Sequence, residues 1–359
     1  MSQPVTSQTV TQEVVVRKTK RLDATKDGLA LDLNPDLATA AEILRSGGTV
    51  AFPTETVYGL GANALDPNAV ARIFLAKDRP GWDPLIVHVS DRAMLNRIAV
   101  VSARAERLIA AFWPGPLTLL LPRTTQVPNA VTAGRPLVGV RMPAHPVALA
   151  LITAAGVPIA APSANRFGRT SPTSAAHVLE DLDHRIDAVL YGGPTTVGVE
   201  STVLDPNQSP MVLYRPGAIT IAMLESIAGP VVVYAAPPSG NEPESLPSPG
   251  VGIRHYAPRA RLLLIASEDE LSTRLASEPD AGERVGVMLP HGWKLNGANA
   301  EVFSWARFDD ANGLAQTLFA GLRELDHRGV TTILCPIPGP DGLGLAIRDR
   351  LEKAARRDK

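Results

Sequence analysis

Cysteine, net charge and long apolar runs are nearly absent from this chain of 359 residues. The single cysteine, Cys335, excludes an internal disulfide framework and a cysteine-rich zinc site, and it fits a reducing cytosol. Because the net charge is only −1, any contact with nucleic acid must come from a local patch. No apolar run approaches the roughly 18 residues of a membrane span, and the polar N-terminus has no signal-peptide core. We therefore expect a cytoplasmic protein without membrane contact.

Several familiar catalytic motifs are missing as well. No Walker A loop and no GxGxxG follows a predicted strand. The sequence also lacks HExxH and GxSxG, which mark zinc proteases and α/β-hydrolases. The function must therefore be carried by a site that these signatures do not describe.

Short predicted strands alternate with helices along most of the chain, which indicates an α/β protein. Residues 1–30 are polar and aperiodic and are interpreted as an arm, with a strand suggested at 14–17. Residues 31–234 form a first α/β domain. Residues 235–258, rich in proline, serine, glycine and glutamate at their start, form a linker. Residues 259–359 form a smaller α/β domain whose alternating elements predict a parallel sheet.

The segment 49–89 holds the densest pattern in the first domain. A buried strand at 50–52 ends at Pro53, which cannot donate a hydrogen bond to a neighbouring strand. Threonines and a glutamate follow, and then a Gly-Leu-Gly turn is predicted at 59–61. A helix is predicted over 68–76.

Two cations and an imidazole follow that helix. Lys77 and Arg79 enter a loop rich in proline, and a strand at 85–89 carries His88 on the face opposite its apolar residues. A point charge and a planar fork together suit a polyphosphate. The alternatives are a solvated helix end for the pair and a satisfied core histidine for His88.

Polar side chains recur at the ends of other apolar strands. Arg141 alternates with valines, so it faces either solvent or a cavity that must pair its charge. Ser163 and Asn165 open a loop and are either turn caps or phosphate contacts. Ser201 fits a plain strand equally well, and Arg215 is a cation at a strand end. Ligands bind at the strand ends of α/β sheets, so the recurrence predicts a binding site there.

Glu55 and Glu200 are candidate magnesium ligands, although the pattern fixes neither of them.

The sequence resembles the YrdC family, and its second half resembles the long, two-domain form of threonylcarbamoyl-AMP synthase. The resemblance spans roughly residues 34–356. It rests on motifs that occur in the family's order: FPTETVYGLGANA, KDRP, PLIVHV, WPGPLT, VGVRMP, APSAN, GVESTV, SPGxxxRHYAP and LGLAIRDRLEKAA. It implies an open, twisted mixed sheet with a concave positive face, joined by a linker to a smaller Rossmann-like domain. The chain departs from the pattern at Asp78, where many members carry glycine.

The resemblance also implies a reaction. L-threonine, bicarbonate and ATP, with Mg²⁺, would give threonylcarbamoyl-AMP and pyrophosphate, which makes the enzyme a nucleotidyltransferase. Partner proteins would then transfer the threonylcarbamoyl group to an adenosine of certain tRNAs, and at most weak tRNA contact is expected.

The family's site residues fall on particular positions of this sequence. By resemblance Lys77 and Arg79 are catalytic, and no metal ligand is assigned. The ATP-binding residues are Lys77, Arg79, Thr118, Ser163, Asn165, Ser171 and Arg215. The threonine pocket is Thr54, His88, Arg141 and Ser201.

The end of the linker, residues 248–258, has the wrong chemistry for a mere spacer. A spacer needs no Arg254, His255 and Tyr256 in a row. Tyr256 can bury its ring over the nucleotide, so we predict a lid that closes on ATP. The alternative is an ordered strap between domains without ligand contact.

Two other functions remain open at this point. One is a non-catalytic RNA- or nucleotide-binding protein with the same fold. The other is a carbamoyltransferase maturation factor, although such proteins carry zinc-finger segments and this chain has one cysteine.

Overall fold

The structure is a computed structural model that describes residues 18–235, 246, 248, 255–276, 282–295 and 299–356. It has the predicted α/β architecture, with one large mixed sheet and one small sheet. The strands are β1 (Lys20–Asp23), β2 (Val50–Phe52), β3 (Gly59–Asn63), β4 (Ile86–His88), β5 (Leu117–Pro122), β6 (Leu137–Arg141), β7 (Ile159–Ala160), β8 (Ala188–Tyr191), β9 (Thr202–Asp205), β10 (Met211–Arg215), β11 (Val231–Val233), β12 (Arg261–Ile265), β13 (Val285–His291), β14 (Glu301–Arg307) and β15 (Thr332–Pro336). The helices are α1 (Pro35–Arg45), α2 (Pro67–Lys77), α3 (Arg92–Ile98), α4 (Ala103–Phe112), α5 (Asn129–Thr132), α6 (Pro146–Ala155), α7 (Ala175–Leu182), α8 (Ile221–Ala228), α9 (Glu268–Ala276), α10 (Ala311–His327) and α11 (Leu343–Ala355). Short 3-10 helices cover Lys26–Gly28 and Leu31–Leu33.

The large sheet runs in the order β1-β8-β2-β3-β7-β4-β6-β5-β9-β10-β11 among the described strands. Parallel and antiparallel pairs alternate irregularly along it, as the prediction of a mixed sheet requires. In the parallel pair of β4 and β6, His88 lies opposite Arg141. His88 and Arg141, which are far apart in the sequence, therefore lie side by side at the ends of two neighbouring strands.

The turn predicted at 59–61 is wrong, because these residues begin β3, which pairs antiparallel with β2. Glycine is needed here for close packing. A Cβ on Gly61 would lie 2.7 Å from Cε1 of Phe52 and 2.8 Å from Cγ2 of Ile159. The glycines thus let the Phe52 ring lie against the neighbouring strand.

Helix α2 ends with Lys77 and leads into the loop that carries Arg79. Its start is capped by Asp66, whose side chain accepts a hydrogen bond from the backbone N–H of Asn68. It ends at Asp78, which adopts the left-handed conformation with φ 53°. Asp78 accepts hydrogen bonds from Arg166 and Arg185, both at 2.6 Å. This turn directs the chain from Lys77 on α2 into the loop of Arg79.

The N-terminal arm contains part of the large sheet. Strand β1 lies within the predicted arm and pairs in parallel with β8. The strand suggested at 14–17 lies outside the described residues.

The second half forms a sheet in the order β12-β15-β13-β14, in which every pair is parallel. This confirms the predicted small parallel sheet. Strand β14 was not predicted, because an edge strand needs no continuous apolar run and its sequence, EVFSWAR, mixes polar and apolar residues. We call β12–β15 and α9–α11 the C-terminal unit.

Within the described residues, the helices are too short or too polar to cross a membrane.

The C-terminal unit shares an apolar core with loops of the first half. Val57, Val199 and Tyr256 pack in one buried cluster with residues of α10 and α11. Gly198, at φ 82°, lies so close to α10 that a Cβ would fall 2.3 Å from the backbone oxygen of Ala315. The C-terminal unit therefore packs against two loops of the first domain, one that follows β2 and one that precedes β9.

Candidate active site

A central cavity opens where the ends of the middle strands of the large sheet meet. It is lined by side chains from both halves of the first domain and from the end of the linker. The predicted site residues in its wall are Thr54, Arg79, His88, Arg141, Ser163, Ser201, Arg215 and Tyr256. The predictions therefore converge on one place, although the residues are up to about two hundred positions apart in sequence.

The other predicted residues lie directly behind this wall. Lys77 is buried, and its ammonium group donates to the backbone oxygens of Ser163 and Asn165. Burial, and then the charge of Arg79, hold the pKa of Lys77 well below its usual range. Lys77 thus braces the loop that carries Ser163.

Asn165 shows the turn-capping role that was the alternative to phosphate contact. Its side-chain N–H₂ donates to the backbone oxygens of Arg166 and Arg169, each at 2.9 Å. Its Oδ1 is buried and has no hydrogen-bond partner in the described part of the chain. The side chain therefore orders its own loop and keeps one acceptor unused.

Thr118 and Ser171 each contact a residue of the wall. The hydroxyls of Thr118 and Ser201 lie 2.8 Å apart. The hydroxyl of Ser171 donates to Oε1 of Glu200, which itself lines the cavity. These two residues support the wall in this structure.

Arg79 is held in place by its own loop. Its guanidinium donates to the backbone oxygen of Pro84 at 2.9 Å and forms an ion pair with Asp83, also at 2.9 Å. The ring of Phe167 lies 5.9 Å from the guanidinium carbon. Burial lowers the pKa of Arg79, and the carboxylate of Asp83 opposes that shift. The sequence analysis missed Asp83, whose spacing of four residues from Arg79 was a usable signal.

A second cation lies at the end of β6. Arg141 is buried and donates to the hydroxyl of Thr56 at 3.0 Å and to Oε2 of Glu55 at 3.1 Å. The hydroxyls of Thr54 and Thr56 lie 2.8 Å apart. Neither Nε of Arg141 nor Oε1 of Glu55 has a hydrogen-bond partner among the described residues. Glu55 is thus a partner of Arg141.

His88 presents a neutral imidazole to the cavity. Burial, and then the charge of Arg141, hold the pKa of His88 well below its usual range. Its ring meets the Phe52 ring edge to face at 6.2 Å, and Nδ1 has no hydrogen-bond partner in the described residues. A neutral ring with an unused nitrogen can donate or accept one hydrogen bond according to its tautomer.

Arg215 faces the same cavity from the end of β10. It donates to the backbone oxygen of Ser201 at 3.0 Å and to its hydroxyl at 3.1 Å. Ser201 thereby joins the hydroxyl of Thr118 to the guanidinium of Arg215. Among the described residues, the wall carries three arginines, and Glu200 supplies its one carboxylate.

The described part of the linker lies on the first domain. The backbone N–H of Leu246 donates to Trp82, and that of Ala257 donates to Gly168 at 2.8 Å. His255 and Tyr256 are buried and line the cavity. Arg254 lies outside the described residues.

Tyr256 is held in a demanding conformation. Its φ is 66°, in the left-handed region that non-glycine residues seldom adopt. Its ring stacks on Phe319 of α10, with centroids 5.8 Å apart, and meets the His255 ring at 4.2 Å. Its hydroxyl is buried and has no hydrogen-bond partner among the described residues.

Glu200 belongs to a buried ion pair with a residue that the sequence analysis missed. Its Oε2 accepts a hydrogen bond from Nε of Arg350 on α11 at 2.8 Å. Arg350 follows Ala346 and Ile347 at helical spacing, so it stands on the buried apolar face of α11. A charged residue in that pattern was the available signal. Glu200 therefore has its oxygens occupied by Arg350 and Ser171.

The described residues contain no group of three or more histidine, cysteine or acidic side chains placed to hold a metal ion. Glu55 and Glu200, the two candidate magnesium ligands, are engaged by arginines instead.

The fold and this cavity together define a class: a two-part α/β protein with a buried cationic site that is lined in part by the end of its own linker. Comparison with known proteins places the chain within that class. The profile of the Sua5_yciO_yrdC family, described as "Telomere recombination", matches residues 42–217. The profile Sua5_C, described as "Threonylcarbamoyl-AMP synthase, C-terminal domain", matches residues 219–356. The chain belongs to the Sua5/YciO/YrdC family and has its long, two-domain form.

Similar proteins share nearly the whole length. A threonylcarbamoyl-AMP synthase of Pyrococcus abyssi is 44% identical over 88% of this chain and 93% of its own. One of Bacillus subtilis is 44% identical over 94% of this chain and 98% of its own. The crystal structure of P. abyssi Sua5 complexed with L-threonine covers 94% of this chain and 97% of that one, with a TM-score of 0.84 and 41% identity. These names are those of enzymes, and the chain is an enzyme of this family.

Proposed function

We propose that this chain is a threonylcarbamoyl-AMP synthase and therefore a nucleotidyltransferase. It converts L-threonine, bicarbonate and ATP to threonylcarbamoyl-AMP and pyrophosphate. One observation carries the proposal: a single cavity holds the cation at the end of β6 together with those of Arg79 and Arg215. A reaction between an amino acid and a nucleotide needs both sets of contacts in one place. The names of the full-length relatives support the same reaction.

The chemistry requires no protein nucleophile. The threonine amine, as the free base, adds to carbon dioxide derived from bicarbonate and loses a proton, which gives a carbamate. A carbamate oxygen then attacks the α-phosphorus of ATP, and pyrophosphate leaves with the electrons of the broken P–O bond. The protein contributes positioning, charge stabilisation and the exclusion of water from the labile mixed anhydride.

Threonine binds between β4 and β6 in this proposal. Arg141 supplies the cation for its carboxylate, because its Nε is unused and the side chain lines the cavity. Thr54 and Ser201 add hydroxyls, and the neutral ring of His88 can take up one further hydrogen bond. Such a pocket recognises a small polar amino acid.

ATP binds along the opposite wall. Arg79 and Arg215 face its phosphates, and Lys77 holds the backbone of the Ser163 loop that frames them. Asn165, Thr118 and Ser171 complete this side from behind. Tyr256 covers the nucleotide as part of the lid.

Mg²⁺ enters as the complex with ATP. The carboxylates nearest the cavity are paired with arginines, so the described side chains do not offer a resident metal site of their own. The ion would lower the negative charge of the leaving pyrophosphate.

The product is an activated acyl group that a second protein must accept. We propose that partner proteins transfer it to an adenosine of tRNA in the cytoplasm.

A non-catalytic RNA-binding role fits the structure less well. The cations of the site, Lys77, Arg79, Arg141 and Arg215, are all buried. Binding to an RNA backbone uses exposed lysines and arginines that replace counterions along the phosphates. The net charge of −1 supplies no general attraction either.

The direct test is to incubate the purified chain with L-threonine, bicarbonate and Mg-ATP. Mass spectrometry should detect threonylcarbamoyl-AMP, and pyrophosphate should appear in equal amount only when all three substrates are present. Pyrophosphate release that is independent of threonine, with no acyl-adenylate, would contradict the proposal.

A further inference from the structure

One guanidinium of the C-terminal unit reaches into the wall of the central cavity. The side chain of Arg350 is fully buried, at 0% exposure, although it is charged. Its Nε donates to Oε2 of Glu200 at 2.8 Å, and its NH1 donates to the backbone oxygen of Pro216 at 2.9 Å. The guanidinium carbon lies 5.3 Å from the centre of the Tyr256 ring. Two segments of the first half and the end of the linker therefore meet at one side chain of α11.

Each of these contacts leads to a residue of the site. Glu200 lines the cavity and accepts the hydroxyl of Ser171. Pro216 directly follows Arg215, so its backbone sets the position of that cation. Tyr256 is the aromatic residue of the lid, and its strained backbone must be stabilised by its surroundings. Removing the shared guanidinium would release all three at once.

The charges around Glu200 also indicate that Arg350 keeps the residues of the site in position. Burial alone would raise the pKa of Glu200, but the charges of Arg350 and Arg215 outweigh it, and the pKa is lowered from its ordinary value. The carboxylate thus stays ionised beside the cavity. Of the two arginines that lower the pKa of Glu200, a variant without Arg350 would keep just Arg215, which would then be drawn towards the carboxylate and away from the substrate.

We propose that Arg350 is a positioning residue. Through it, the C-terminal unit fixes the positions of Glu200, of the backbone that follows Arg215 and of Tyr256 in the lid. The first domain supplies the substrate contacts, and the C-terminal unit fixes the nucleotide side of the cavity. This inference rests on the proposed synthase function.

Arg323 offers a matched control for mere contact between the two halves. It stands on α10, is buried, and pairs with Glu180 at 2.9 Å and Asp181 at 2.7 Å in the first half. It also donates to the backbone oxygen of Thr170, the residue before Ser171, and the ammonium group of a lysine can keep this single contact. Its two carboxylate partners do not line the central cavity. If Arg350 only fastened the halves together, the two arginines would be equivalent.

The experiment compares Arg350→Lys with Arg323→Lys in the full chain. Lysine keeps the charge but cannot bridge Glu200 and Pro216 with a fork. Displacement of positioned groups by about 1 Å lowers rates by up to about 100-fold, so kcat of Arg350→Lys should fall by about 10- to 100-fold. Its KM for threonine should change by less than about 3-fold, since the lost interactions act on the nucleotide side. Arg323→Lys should leave both constants within about 3-fold of the wild type.

Two further readouts separate positioning from loss of structure. If Arg350 acts through Glu200, the double variant Glu200→Gln/Arg350→Gln should be no slower than the slower single variant. Hydrogen exchange at the amide of Ala257, which donates to Gly168, should accelerate in Arg350→Lys and stay unchanged in Arg323→Lys. This exchange readout does not depend on turnover.

The outcomes distinguish the inference from the proposed function. Equal kinetics and equal exchange in the two lysine variants would overturn the role of Arg350 while leaving the synthase activity of the wild type intact. A wild type that makes no acyl-adenylate would refute the proposed function. The exchange comparison would then still decide whether Arg350 holds the lid.

Discussion

Arg141 and Glu55 form a buried ion pair, with NH2 of the arginine 3.1 Å from Oε2 of the carboxylate. The sequence pattern predicted that Arg141 faces either solvent or a cavity that must pair its charge. The structure provides part of that balance from within the chain, while Nε of Arg141 is unused. Glu55 therefore holds the arginine in place, and Arg141 lines the cavity in which we propose that the carboxylate of threonine binds.

The first prediction concerns the substrate contact of Arg141. Arg141→Ala should weaken threonine binding by about 10- to 150-fold, because a charge-assisted pair contributes about 1.5–3 kcal/mol. ATP binding should change little, since Arg79 and Arg215 are untouched. Calorimetric titration with each substrate measures both effects. A fall in ATP affinity with threonine affinity unchanged would mean that Arg141 serves the nucleotide.

The second prediction concerns the carboxylate of the same pair. Glu55→Gln leaves the buried guanidinium without its compensating charge, which destabilises proteins by about 3–5 kcal/mol. The free energy of unfolding, measured in urea, should fall by that order. Threonine should restore more stability in this variant than in the wild type, because its carboxylate then balances the charge. An equal thermal shift with threonine in both proteins would argue against carboxylate binding at Arg141.

The third prediction concerns the phosphate side. Lys77→Ala should lower kcat more than it raises KM for threonine, since Lys77 braces the Ser163 loop, which frames the phosphates in the proposed function. Arg79→Lys should also be impaired, because lysine cannot contact both Asp83 and Pro84 as the fork does. Steady-state kinetics with threonine and ATP varied separately gives the split. Two variants with wild-type constants would remove both residues from the reaction.

Much of the fold follows from local pattern. The helix predicted at 68–76 and the strand predicted at 50–52 match α2 and β2, because apolar residues fill each element and a proline marks one of its ends. Strand β3 was mistaken for a turn, because the glycines that commonly mark turns serve here to admit the Phe52 ring. Local sequence does not distinguish these two uses of glycine.

The site was predictable in its members but not in its pairings. Arg141 and His88 stood out because each is a polar residue in a short apolar strand. Their partners did not, because Glu55 and Arg141 are 86 residues apart, and Glu200 and Arg350 are 150 apart. Which carboxylate meets which guanidinium depends on how the strands and the C-terminal unit pack. The sequence pattern therefore indicates which cations belong to the site, whereas their partners and positions are determined by the tertiary structure.

The fourth prediction concerns the lid. Tyr256→Ala should reduce acyl-adenylate formation and increase ATP hydrolysis that yields no product, because the proposed lid loses the ring that lines the cavity. Tyr256→Phe keeps the stacking on Phe319 and should resemble the wild type unless the hydroxyl, which lacks a partner in the described residues, contacts substrate. Product and phosphate are measured in the same reaction. Unchanged coupling in Tyr256→Ala would support the strap without ligand contact.

The last prediction concerns stability against pH. Burial holds the pKa values of His88 and His255 well below the usual 6.5, helped by the charges of Arg141 and Arg79 respectively. The folded chain keeps both rings neutral, whereas the unfolded chain protonates them as the pH falls below about 6.5. Stability is therefore retained above that value and lost below it, until the pH reaches the folded-state pKa values. Each histidine should contribute up to about 1.4 kcal/mol per pH unit within this window.

The measurement is the free energy of unfolding in urea at several values between about pH 5.5 and 7.5. His88→Gln removes one of the titrating rings, so its stability should fall less steeply with decreasing pH than that of the wild type. The same comparison with His184→Gln serves as a control, because His184 lies at the surface, with its side chain 57% exposed. If His88→Gln lost stability as steeply as the wild type and the control, the imidazole of His88 would take up its proton in the folded state, and a neutral ring in the threonine pocket could not be maintained.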